Sequence, residues 1–173
     1  EEVLAPLMAA HEDAIRLDER LYWRVAQVHE RLDDIELTAE QRYLVQRHFR
    51  EMTHAGAALD AEAKATLTAL NQRLSSLSTT FEKNLLADTN DLAVAFDDVT
   101  ALAGLSTGEL SAAARAASER GLQGQWLITL PLFTGHPALA SLRDRESRRR
   151  IMSASLARGS RGNAYDNRGV VQE

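Results

Sequence analysis

The chain has 173 residues, 45% of them hydrophobic and 26% charged, with a formal net charge of −5 and no cysteine. This composition excludes a disordered polypeptide, and without cysteine there is neither a disulfide framework nor a thiolate zinc site. The length suits one large domain or a lobe of something bigger.

Aromatic residues are scarce at 5%, while Ala and Leu, the best helix formers, are abundant. Residues 1 to about 34 read as one long helix, because Leu4, Leu7, Ala14, Leu17, Leu21, Val25, Val28 and Leu32 recur at three- and four-residue steps. Thr38 starts the next helix, with Gln41 in capping-box position. That helix carries Leu44, Val45, Phe49 and Met52 and loosens at Gly56. Asp60 is the N-cap expected for the longest helix, about residues 61–90. Its Leu67, Leu70, Leu74, Leu77 and Phe81 form a seam of the kind buried in a helix hairpin.

Two apolar runs break the helical period. Residues 92–96 and 126–130 each read as a strand, the second rich in aromatic and β-branched residues and stopped by Pro131. They are expected to pair as an antiparallel ribbon lying on the helices, since an isolated ribbon is barely stable in water. Between them fall a short turn of helix from Thr100 to Leu105 and a helix opened by the capping box Ser106/Glu109 and closed by Gly121. A Gly-His-Pro turn, in which Pro137 biases His136 away from helix, leads to a last helix from about Asp144 to Arg158 that ends at Gly159. The expected fold class is therefore mainly α, a helical bundle or hairpin lobe with one small two-stranded ribbon, over a single segment 1–173. Both ends read as cut from a longer chain.

Charge is uneven: residues 1–120 carry 12 basic and 21 acidic side chains, and residues 121–173 carry 8 and 4. The basic excess sits in Arg143, Arg145, Arg148, Arg149 and Arg150 without interleaved aromatics, which argues against nucleic acid. A solvated helix face or ion pairing with the acidic half is the expected role. No run of about 18 apolar residues can cross a membrane, and Glu1-Glu2-Val3 has none of the features of a signal peptide. A cytoplasmic setting is the expectation.

Few residues suggest chemistry. A zinc-binding helix of the His-Glu-x-x-His type places two histidines one turn apart around a glutamate that activates water. His11-Glu12 has Ile15 where the second histidine is needed, and His29-Glu30 has Asp33. His48, Glu51 and His54 follow i, i+3, i+6 spacing, but at about 100° per residue the two histidines diverge around the axis. A helix-surface hydrogen-bonded pair is expected there rather than a metal. His136 either lines a groove or caps the following helix. Ser75, Ser76, Ser78, Thr79 and Thr80 interrupt a helix without a Gly-x-Ser-x-Gly elbow, and back-bonding to helix carbonyls is the expected role. No residue qualifies as catalytic, cofactor-binding or metal-ligating.

The order strand, turn, PALASLRDRESRR and helix resembles one family, the thimet oligopeptidase group of zinc metallopeptidases, and most closely its bacterial peptidyl-dipeptidase branch. The similarity extends through AHEDAIRLDERLYWRV (10–25), LTAEQRYLVQRHFREMTHAGAAL (37–59), ALNQRLSSLSTTFEKNLLADT (69–89) and LAGLSTGELSAAARAASERGLQGQWLITL (102–130). The resemblance implies a mostly helical enzyme with two lobes about a deep channel and zinc at its floor, in the cytoplasm or an organelle. It implies short peptides as substrates, with dipeptides released from the C-terminus. This chain would be part of the N-terminal lobe, whose partner is the rest of the peptidase chain; the zinc ligands would lie outside it, and the piece alone is expected to be inactive. Apolar surface facing the missing part is expected to drive self-association. The competing reading is a stand-alone helical interaction module without enzymatic activity.

Overall fold

Asp18 divides the first helical stretch in two. Its carboxylate accepts the Leu21 N–H at 2.8 Å and caps a second helix, so α1 spans Leu4–Arg16 and α2 spans Glu19–Glu30. The single helix expected over 1–34 is thus corrected: a short acidic side chain competes for backbone N–H groups and starts a new helix where the apolar period alone would continue the old one. The computed structural model describes residues 3–130 and 135–173. Its chain falls into two compact units, Glu1–Thr80 and Phe81–Glu173.

In the first unit, α3 (Ala39–His54) begins at the expected capping box, with reciprocal bonds between Thr38 and Gln41. It ends in a Schellman turn: Gly56 takes φ +96°, its N–H reaching Thr53 O and the Ala57 N–H reaching Met52 O. Helices α2 and α3 bury Tyr22, Met52 and Ala57 with Phe49 packed against them. Asp60 caps α4 (Ala61–Asp91) by accepting from Ala63 N–H. The hydroxyls of Ser76, Thr79 and Thr80 bond back to carbonyls four residues earlier, as expected. The leucine seam is only partly covered: Leu70 and Leu74 are 60% and 62% exposed, while Leu67, Leu77 and Phe81 are half-buried.

In the second unit, β1 (Val94–Phe96) pairs antiparallel with β2 (Trp126–Ile128), matching Ala95 with Leu127. The ribbon is shorter than the five-residue runs but in the expected place. A 3₁₀ turn, Val99–Leu102, precedes α5 (Thr107–Glu119), which is opened by the Ser106/Glu109 capping box. It closes in a second Schellman turn, with Gly121 at φ +75°. Next come α6 (Gly135–Ser141), α7 (Arg145–Leu156), capped by Asp144, and α8 (Arg168–Gln172). Helix α6 corrects the expected Gly-His-Pro turn, because Pro137 sits in a first helical turn, where a missing N–H costs nothing. Phe96, Leu102, Leu130 and Ile151 are the fully buried centre of this unit, and α5 adds Ala113. The fold is mainly α with one small ribbon. No helix among the described residues is long and apolar enough to cross a membrane.

Candidate functional site

The histidines are the first candidates for chemistry, and the structure scatters them. His11 lies exposed on α1, where the neighbouring Glu12 pairs with Arg16 at 3.7 Å. His29 stacks on Phe49 with ring centroids 4.0 Å apart, and Phe49 in turn stacks on Tyr22. On α3, Arg47 Nε donates to Glu51 at 2.7 Å, which holds the Glu51 carboxyl below its ordinary value, while His48 Nδ1 stands 3.9 Å from the other Glu51 oxygen. His48, Glu51 and His54 share the rim of an open groove with Arg16 and Met52. Among the described residues no group of three histidine or acidic side chains is placed to hold a metal. The side chain of His136 lies outside the described residues, as does Pro131.

A carboxylate that carries no motif in the sequence is the most buried charge among the described residues. Asp88, on α4, is 0% exposed. It accepts Gly159 N–H at 2.6 Å, Asn163 Nδ2 at 3.0 Å and Arg161 Nε at 3.0 Å, and Arg161 Nη2 bridges Asp88 and Asp91. Burial pushes the Asp88 carboxyl up, but the bonds from Arg161, Asn163 and Gly159 outweigh it and hold the group below its ordinary value. One turn away, Asn167 accepts from Asn84 and donates to Phe81 O, each at 3.0 Å. These contacts fold residues 159–167 onto α4. Every Asp88 oxygen is occupied, so the centre is structural. The signal in the sequence is the Asp88/Asp91 pair one turn apart, with Arg161 set in a glycine-rich loop.

The basic segment is a largely exposed helix face, with Arg145, Arg149 and Arg150 exposed on it and Arg143 exposed just before it; Arg148 and Arg150, and Arg158 beyond it, also act as fasteners. Arg150 donates to Ala95 O of β1 at 2.7 Å and lies over the Phe96 ring, its guanidinium carbon 4.4 Å from the centroid. Arg158 donates to Leu130 O just after β2, and Arg148 to Leu142 O and Arg143 O between α6 and α7, each at 2.7 Å. Arg149 pairs with Glu146 one turn away on its own helix, not with the acidic half of the chain. A planar guanidinium presents several donors in fixed directions, which suits it to gather carbonyls that no N–H reaches.

A mostly apolar cleft of about 440 Å³ is bounded by α5, β2 and α6. Ala112, Ala113 and Ala116 form its α5 wall, Leu127, Ile128 and Thr129 its strand side, and Pro137 and Ala138 its α6 side. Glu109 is the charged residue on its lining. Ser106 N–H and Oγ both donate to one Glu109 oxygen at 2.7 Å and hold its carboxyl below the ordinary value. The cleft offers apolar contact, one anion and a strand edge. Among the described residues its lining pairs no nucleophile with a base.

No family model matches the chain. Over 172 residues, 99% of its length, it is 38% identical to a dipeptidyl carboxypeptidase of Salmonella typhimurium, of which it covers 25%. It is 36% identical to the dipeptidyl carboxypeptidase of Escherichia coli K12 over 91% of this chain and 23% of that one. An organellar oligopeptidase A of Arabidopsis thaliana is 28% identical over 79% of the chain and 18% of its own length. The chain thus spans about a quarter of the length of these two dipeptidyl carboxypeptidases, and the resemblance read from its residues is borne out.

Proposed function

We propose that this chain, a homologue of the dipeptidyl carboxypeptidases and oligopeptidase A, is a non-catalytic part of the N-terminal lobe of a zinc-dependent peptidyl-dipeptidase. In the whole protein it would form a rigid wall that admits short peptides and excludes folded proteins. The observation that carries this reading is similarity along 99% of the chain to peptidases about four times as long. The described residues do not fit zinc: no three ligands converge, and a catalytic site needs three protein ligands and an open position. The proposal therefore assigns the metal's ligands to positions outside this sequence. Short peptides are the substrate class and the remaining peptidase chain the constant partner. The cytoplasm is the proposed setting, in keeping with a relative described as a probable cytosolic oligopeptidase A.

A second reading, a stand-alone interaction module, draws on the exposed apolar side chains of α1, where Leu4, Leu7, Met8 and Ile15 all face solvent. Sequencing the reading frame beyond Glu173 separates the two. A downstream His-Glu-x-x-His with a further glutamate ligand supports the peptidase lobe; a stop codon soon after Glu173 supports the module.

A further inference from the structure

Among the described residues, strand β2 has one partner, β1. Val94–Ile128, Ala95–Leu127 and Phe96–Trp126 pair in register, and among the described residues no backbone bond joins Ala93 with Thr129 or Gln125 with Asp97, so the two outer pairs carry the ladder bonds and the Ala95–Leu127 pair is the non-hydrogen-bonded one. The Leu127 N–H and C=O therefore point away from β1, and no turn or loop bond among the described residues takes them up. The cleft touches Leu127, Ile128 and Thr129 in succession. Side chains along a strand alternate between faces, so three consecutive residues on one lining place the cleft along the strand's edge and not on a face of the ribbon.

We propose that the free edge of β2 is a docking site for an extended peptide with small apolar side chains and a cationic group at one end, which adds to the ribbon as a third strand. A strand edge is recognised by main-chain bonds that only another extended chain supplies in register. The alanine wall of α5 and Pro137 leave room for small apolar side chains, and the cleft's volume falls within the range of about 300–1,000 Å³ typical of ligand sites. The three residues of β2 span about 10 Å, enough to pair with about three residues of the incoming chain. The Glu109 carboxylate is the charge on this lining, so charge complementarity places an α-amino group or a basic side chain beside it. The choice of a peptide rests on the peptidase reading above; the edge geometry stands by itself.

The test is an NMR titration of the 173-residue chain with Ala-Val-Ala-Val-amide bearing a free amino terminus. The controls are the same peptide N-methylated at alternate residues, the N-acetylated peptide, and the Glu109→Gln variant, which keeps the capping box. Saturable shifts at the Leu127 and Thr129 amides are expected, with slowed exchange of the Leu127 proton. N-methylation should weaken binding by about tenfold or more, because it removes main-chain donors while keeping the apolar surface. Acetylation and Glu109→Gln should each weaken it about threefold and flatten its salt dependence. No saturation up to about 5 mM, equal binding of the N-methylated peptide, or protection of the Leu127 amide that vanishes on dilution, as a second copy in the cleft would give, overturns the strand-addition site. Unchanged affinity in Glu109→Gln overturns the cationic end. Binding is read without metal or hydrolysis, so its failure leaves the lobe reading standing. Zinc-dependent cleavage by this chain would overturn that reading and leave the titration to judge the site.

Discussion

Arg150 on α7 reaches across to β1, donating to Ala95 O at 2.7 Å while its guanidinium lies over the Phe96 ring. One side chain thus closes a strand edge and covers a core aromatic. Arg150→Ala should destabilise the chain by roughly 1–2 kcal/mol, the loss of one charge-assisted bond and one cation–π contact. Arg150→Lys should recover only part of it, since a point charge lacks the fork that serves both partners. Urea unfolding of the three proteins checks this ordering.

Asp88→Ala should be far more damaging, by about 3–5 kcal/mol, because it leaves Arg161 with Asp91 alone and Gly159 N–H and Asn163 without their buried acceptor. The same carboxylate makes stability depend on acid. Its folded-state pKa is depressed, so its contribution is complete above the unfolded value of about 3.9 and is lost as pH falls through the lower, folded one. Unfolding followed between neutral and acid pH should show this limb in the native chain, and a shallower one in Asp88→Asn.

Two glycines in the left-handed region should respond differently to alanine. At Gly104, with φ +108°, a Cβ would be driven into the Ser141 carbonyl oxygen. At Gly121, with φ +75°, it would meet nothing within 4 Å. Gly121→Ala should cost about 1–2 kcal/mol, the backbone penalty alone. Gly104→Ala should cost at least about 3 kcal/mol, since backbone must also move. Comparable losses in the two would contradict the tight contact between the 3₁₀ segment and α6.

Helix α1 presents Leu4, Leu7, Met8 and Ile15 to solvent, each more than half exposed. Contiguous apolar surface of this kind drives association, so the purified chain should self-associate as its concentration rises. The pair Leu7→Glu and Met8→Lys should shift the equilibrium toward monomer without loss of helix signal. Sedimentation across a range of concentrations checks both points.

Local chemistry is legible in the sequence. The capping boxes at Thr38/Gln41 and Ser106/Glu109, the cap at Asp60, the helix start near Asp144 and both strands stand where their residues point. The Asp18 break is not legible, because an acidic residue inside an apolar period reads as surface until its backbone bond is seen. The leucine seam of α4 misleads for the reverse reason: periodicity reports which face is apolar, never what covers it. Of the candidate site, His48, Glu51 and His54 are visible, and their spacing already argues against a metal. Of the Asp88 centre, the Asp88/Asp91 pair and Arg161 in its glycine-rich loop can be read, but not that they meet, since the partners lie more than seventy residues away. The open edge of β2 is equally hidden, because it depends on the register in which two strands distant in sequence pair.

The central claim, that this chain belongs to a peptidase lobe and carries none of the catalytic machinery, is tested most directly by assaying the purified 173-residue protein on a blocked tripeptide, with added zinc and with a chelator. The account predicts no hydrolysis above background in either condition. Turnover that appears with zinc and disappears with the chelator would contradict it.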